Sequence, residues 1–260
     1  YEIRLSLVGS EMCIRDSKLL LFKYSDERDP WWYSFLRSTY TLYYDYKKMT
    51  DKTIQISIKQ RVPLDIFCCT LADYRNKGEI NEQYLLENLH SVFSGEYNIK
   101  LTFNYIKSSI LNPLINETLV QNKTKILAAL KIPFEANVIA ISLINVRFPF
   151  CYYFTALLAK YMRLETELSR DTINKLVGKD YPLNGTCKKA IRVSLTQLID
   201  MGVIKRIKIG LYAWNEPISV KNKITAKLWA ESFFINNQLL DRTDTELQLF
   251  DPYFLYIKEE

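Results

Sequence analysis

Lys188, Lys189, Arg192 and Thr196 recur at spacings that gather them on one side of a helix turning about 100° per residue. Three cations and a hydroxyl on one face suit recognition of a polyanion. Lys and Arg pair with phosphate oxygens, either can address a guanine edge, and Thr can reach a base edge or a thymine methyl. A second basic group follows closely. Lys205, Arg206 and Lys208 lie in Val203–Ile209, where apolar and basic residues partly alternate as in a half-buried strand. Between Gly185 and Gly210 six Lys or Arg face one acid, Asp200, an excess that attracts a polyanion and makes its binding salt-dependent. A merely solvated helix face carries the same residue types, so the surrounding elements decide what these seven residues can do.

Those elements are legible upstream and downstream. Phe148-Pro149 opens the apolar run Cys151 to Met162, a helix whose first turn tolerates the missing proline N–H. Ser169 can cap a short second helix, Arg170 to Val177, closed by Gly178. Tyr181-Pro182-Leu183-Asn184-Gly185 cannot continue a helix and forms a bend. A third helix then spans Thr186 to Met201. Cys187, Ala190, Ile191, Ser194, Leu195, Leu198 and Met201 form its packing stripe, opposite the basic face. Gly202 ends it, Val203–Ile209 is a strand, Gly210 a turn, and Leu211–Trp214 the returning strand.

Leu195, Leu198 and Ile199, then Met201-Gly202-Val203-Ile204 and a basic hairpin, resemble the ending shared by many prokaryotic winged helix-turn-helix proteins. The resemblance covers about residues 147–217 and is at superfamily level. It implies that Lys188, Lys189, Arg192 and Thr196 face the major groove of double-stranded DNA while Lys205, Arg206 and Lys208 clamp phosphate. It does not choose among a regulator, a replication protein and a mobile-element or defence accessory, and winged helices also serve as protein-interaction modules. A second, shorter resemblance lies at the carboxyl end. Glu246-Leu247-Gln248-Leu249-Phe250-Asp251-Pro252-Tyr253-Phe254-Leu255 is similar to the strand and Asp-Pro-aromatic segment after the winged helix of some prokaryotic P-loop ATPases of the AAA+ and signalling type. That would make this chain the end of a truncated ATPase. Asp251-Pro252 as an ordinary turn or helix start is the simpler reading.

The fold class expected is mainly α (α+β), with a helical amino-terminal region, the winged helix-turn-helix with a two-stranded wing, and a carboxy-terminal helix and short strand. The boundaries expected are 1–17, 18–145, 146–217 and 218–260. Residues 7–17 resemble a translated sequencing adapter, and the chain starts with Tyr1, so the natural sequence is expected to begin near Lys18. Without residues 1–17, which carry two Arg and three acids, the net charge rises from +6 to +7. Asp29-Pro30 opens an aromatic helix, with Trp31, Trp32, Tyr33, Phe35, Tyr40, Tyr43, Tyr44 and Tyr46, whose 31–46 stretch suits a core, a second copy or a protein partner. Thr53–Lys59 alternates strictly, as a strand does. Asn81–Phe93, Thr102–Asn112, Thr124–Leu130, Glu135–Asn145 and Ala226–Leu240 read as helices.

Catalytic motifs are missing. None of the seven glycines builds a phosphate loop: Val177-Gly178-Lys179-Asp180 lacks the upstream Gly and the following Ser or Thr, and Gly-x-Ser-x-Gly is absent. One histidine, His90, and cysteines without paired spacing give no metal-ligand pattern. Cys68 and Cys69 are expected to fill a core face, and Cys151 and Cys187 to sit on buried helix faces. No catalytic residue, cofactor or metal is therefore assigned. The longest apolar run, around Val138–Ile144, is well short of the roughly 18 to 20 residues a membrane helix needs, so a soluble, cytoplasmic chain is expected.

Overall fold

Proline and asparagine set most of the helix starts. In the computed structural model, which describes residues 55–162, 164–238 and 251–260, α1 (Leu64–Lys77) follows Pro63 and stops at Gly78, whose φ of 84° is left-handed. Asn81 caps α2 (Glu82–Val92) by accepting from the Tyr84 N–H, and Asn112 caps α4 (Pro113–Gln121) by accepting from Leu114. Between them α3 spans Glu96–Ile110, starting six residues before the helix expected there, and α5 (Lys123–Ala129) follows α4. Pro133 opens α6 (Pro133–Arg147) and Pro149 opens α7 (Pro149–Met162), so one residue, Phe148, separates two helices bent by 119°.

The chain then changes character. A short strand β1 (Glu167–Ser169) leads into α8 (Arg170–Val177), a bend, α9 (Gly185–Met201) and the hairpin β2 (Ile204–Lys208) and β3 (Leu211–Trp214). The sheet is antiparallel in the order β1-β3-β2, three strands where two were expected. Beyond it come β4 (Ile218–Val220), α10 (Lys223–Asn236), a 3-10 turn at Pro252–Tyr256 and β5 (Ile257–Glu259), which pairs parallel with β4. The described residues are thus mainly helical, with ten α-helices and two small sheets, and all fall within one compact unit, 53–260.

The core centres on α6. Its residues from Glu135 to Val146 are all buried except Asn137, and it packs against α1, α3, α7, α9 and α10. A helix apolar all round belongs inside a protein. Among the described residues no single helix is long and apolar enough to cross a membrane; α6 and α7 pass that test only as a bent pair.

Aromatic rings close the carboxyl end. Trp229 of α10 stacks on Tyr253 at 4.4 Å between centroids, and Trp214 of β3 stacks on Tyr256 at 4.9 Å. The Asp251 carboxylate caps the 3-10 turn by accepting from the Tyr253 N–H at 2.8 Å, so Asp251-Pro252 is a helix start. Burial pushes the Asp251 carboxyl above its ordinary value, partly offset by that N–H and by the charge of Lys160. A raised carboxyl binds its proton more tightly folded than unfolded. Its contribution is therefore greatest below the ordinary value, 3.8, and is lost as pH rises through the folded one. Asp251→Asn keeps a capping oxygen and should remove this part of the acid-side slope when urea midpoints are compared across pH; an unchanged slope would assign it to other groups.

Two expectations are corrected by geometry. Residues 55–59 of the alternating stretch Thr53–Lys59 form no strand. Among the described residues no strand pairs with them, and instead the Tyr105 hydroxyl donates to the Ser57 carbonyl at 2.8 Å and accepts from the Lys59 N–H at 3.1 Å. Gly178 closes α8 at the expected place, but not by the left-handed turn usual for a closing glycine, for its φ is −63°. It is small for reasons of space: a Cβ there would lie 2.9 Å from Leu183 Cδ1 and 3.1 Å from the Asn174 carbonyl oxygen. Residues 1–17, the aromatic stretch 31–46 and Glu246–Phe250 lie outside the described residues.

Candidate nucleic-acid interface

Asn184 starts α9 by accepting from the Cys187 N–H at 2.9 Å, and Gly202, with φ 95°, ends it. Between these caps the two faces separate as the periodicity requires. Cys187, Ala190, Ile191, Ser194, Leu195, Leu198 and Met201 are all buried, and Val193 and Gln197 widen that face. Lys188 and Arg192 are exposed, with Lys189 and Thr196 half-buried beside them. Lys188, Arg192 and Thr196 follow one another at four-residue intervals and so form a single row. The Thr196 hydroxyl donates to the Arg192 carbonyl at 2.8 Å, which leaves its oxygen to an incoming donor.

Asp200, the one acid of the stretch, is drawn away from this row. Its carboxylate accepts from Arg61 Nε at 2.7 Å, and its carbonyl accepts from Asn137 Nδ2 at 3.2 Å. Burial raises the Asp200 carboxyl, and the Arg61 guanidinium works against that shift. Among the described residues, none of Lys188, Lys189, Arg192, Lys205, Arg206 and Lys208 pairs with a carboxylate. Unpaired surface cations keep their full charge available to a polyanion, and contact with phosphate releases counterions.

The hairpin divides its three cations. Lys205 opposes Ala213 in the ladder and, with Ile207, Glu165 and Glu167, lines an open cleft of about 470 Å³ between β2 and the end of α7. Arg206 opposes Tyr212 instead, its guanidinium 5.8 Å from the ring centre, on the other side of the sheet. The ladder slips at Ile207, because Arg206 pairs with Tyr212 and Lys208 with Leu211, leaving one residue over. Lys205 therefore stands with two acids, apart from Arg206.

One cation at this hairpin was not singled out from the sequence. Ser169 pairs with Leu211, and the next residue, Arg170, donates its N–H to the Gly210 carbonyl at 2.7 Å. That bond ties the turn of the hairpin to the first residue of α8. Only the pairing of β1 with β3 brings Arg170 here, and three residues of β1 carry too little pattern to announce it.

The groups able to do covalent chemistry are placed elsewhere. Cys151 and Cys187 are buried as expected, and burial pushes the Cys151 thiol up to about 12. Cys68 is half-buried, donates to the Ala136 carbonyl and is also pushed up to about 12, whereas Cys69 is exposed, so only one of the pair faces the core. His90 is exposed near Glu96. Among the described residues no three His, Cys, Asp or Glu side chains converge as a metal site. No protein-family model, curated protein or solved structure matches this chain.

Proposed function

We propose that residues 147–217 form a winged helix-turn-helix and that the chain binds double-stranded DNA through it. The observation that carries this reading is the row Lys188, Arg192 and Thr196, with Lys189 beside it, unpaired on the open face of a helix whose opposite face is wholly buried. The element order supports it: helix, short strand, helix, bend, helix, hairpin, with the first strand added to the hairpin. In this reading α9 lies in the major groove, its bases and phosphates met by Lys188, Lys189, Arg192 and Thr196. Arg206 and Lys208 approach phosphate from the hairpin, while Lys205, beside Glu165 and Glu167, contributes less.

Titration of a mixed-sequence duplex at several salt concentrations tests it. Replacing Lys188, Lys189 and Arg192 together by Ala should weaken binding, and the slope of log affinity against log salt should flatten by about 2.7 if each cation meets one phosphate. Lys205→Ala should change the slope least among the single substitutions. Equal affinity of the triple variant and the unaltered protein would remove α9 as the helix that meets DNA, and no binding by the unaltered protein would leave a protein-interaction module.

A further inference from the structure

Ile209 is 97% exposed at the turn of the β2–β3 hairpin, the most exposed of the large apolar side chains in the described residues. Such a residue at a hairpin tip attracts unwanted association, and hairpin turns ordinarily carry polar residues there. The turn is also held firmly. Gly210 after it has a φ of 78°, and its carbonyl accepts from the Arg170 N–H at 2.7 Å, so the tip is fixed to the start of α8. Two cationic residues flank the turn: Lys208 precedes Ile209, and the Cβ of Arg170 would lie 3.9 Å from a Cβ on Gly210. An apolar point set among cations on a braced turn matches the chemistry of nucleic-acid wedges, in which an aliphatic side chain parts two base pairs while neighbouring cations meet the phosphates.

We propose that Ile209 is such a wedge, entering the minor groove of duplex DNA beside the site held by α9 and bending the duplex. This inference rests on the DNA-binding reading above. With α9 in the major groove, the hairpin that follows it by two residues reaches the adjacent groove. Arg170 and Lys208 neutralise phosphates there, lowering the repulsion that resists a bend, and the wedge favours pyrimidine–purine steps, which unstack most readily.

The test uses a duplex rich in TA and CA steps with a fluorophore at each end, titrated with the whole chain. Unaltered protein should bind and raise energy transfer between the ends. Ile209→Ser, at a position that packs against nothing, should keep its thermal midpoint and most of its affinity while the rise in transfer is lost. Lys188→Ala with Arg192→Ala should instead lose affinity, and at saturating protein should still bend the duplex. Binding without a rise in transfer, or an equal rise with Ile209→Ser, overturns the wedge while leaving DNA binding in place. Failure of the unaltered protein to bind any duplex overturns both. Binding to anionic vesicles that is lost in Ile209→Ser, with no bend in DNA, assigns the tip to a membrane surface and likewise overturns the wedge.

Discussion

Glu135→Ala should destabilise the fold by about 3 kcal/mol or more, seen as a large drop in the urea midpoint at neutral pH. Glu135 is completely buried near the start of α6, and its carboxylate is used entirely by a distant part of the chain. It accepts from the Lys221 N–H at 3.0 Å, from the Asn222 N–H and side-chain amide at 3.3 and 3.1 Å, and from the Thr225 hydroxyl. Asn222 is the N-cap of α10 but makes no side-chain cap bond of its own. Glu135 supplies that cap from another helix. The positive ends of α6 and α10 both lie at this carboxylate, where a helix dipole favours an acidic side chain. Alanine would leave several donors buried without an acceptor, each costing about 1–3 kcal/mol. Glu135→Gln keeps one acceptor oxygen and should lose clearly less; equal loss from both substitutions would mean that shape, not hydrogen bonding, is what Glu135 contributes.

Tyr253→Ala should cost about 4 kcal/mol, within the range for removing a large buried aromatic side chain. Its ring is fully buried against Trp229, and its hydroxyl stands in a relay whose direction the partners determine. Ser232 Oγ donates to the Trp229 carbonyl at 2.6 Å, so it accepts from Tyr253 at 2.7 Å, and Tyr253 in turn accepts from Asn145 Nδ2 at 2.9 Å. Burial raises the phenol far above its ordinary value, and the hydroxyl stays a donor at any working pH. Tyr253→Phe keeps the ring and breaks the relay, for about 1–3 kcal/mol. Denaturant unfolding of both variants separates the two terms: a Phe variant as unstable as the Ala variant would place the cost in the relay and overturn the packing argument.

The legible parts of this chain are those whose causes are local. α9 is bounded by Asn184 and Gly202, and its faces follow from the spacing of Cys187, Ala190, Ile191, Leu195 and Leu198, so its basic row is found by periodicity alone. α7 begins at Pro149 and α8 at the Ser169 cap for equally local reasons. What the sequence hides is made by residues far apart in it. The strict alternation of Thr53–Lys59 suggests a strand, but pairing needs a partner, and the Ser57 carbonyl and Lys59 N–H meet the Tyr105 phenol of α3 instead. β1 is too short for any period, and without it Arg170 cannot be placed at the hairpin. The Glu135 cap is the extreme case. Capping rules look three residues ahead, whereas this carboxylate reaches Asn222 and Thr225 across 87 and 90 positions of the sequence.

α6 belongs to both sides of the boundary that the sequence suggested at residues 145 and 146. One of its neighbours is α1, among the first described helices, and two others are α9 and α10 beyond the bend. Arg61 and Asn137 fasten the same junction by both holding Asp200 at the carboxyl end of α9. A gene fusion that carried residues 146–217 into another protein would keep α7 but leave behind α6, another helix against which α9 packs. The basic helix is therefore built as part of one body with α6, and a large-to-small change on its buried side should be felt across that contact.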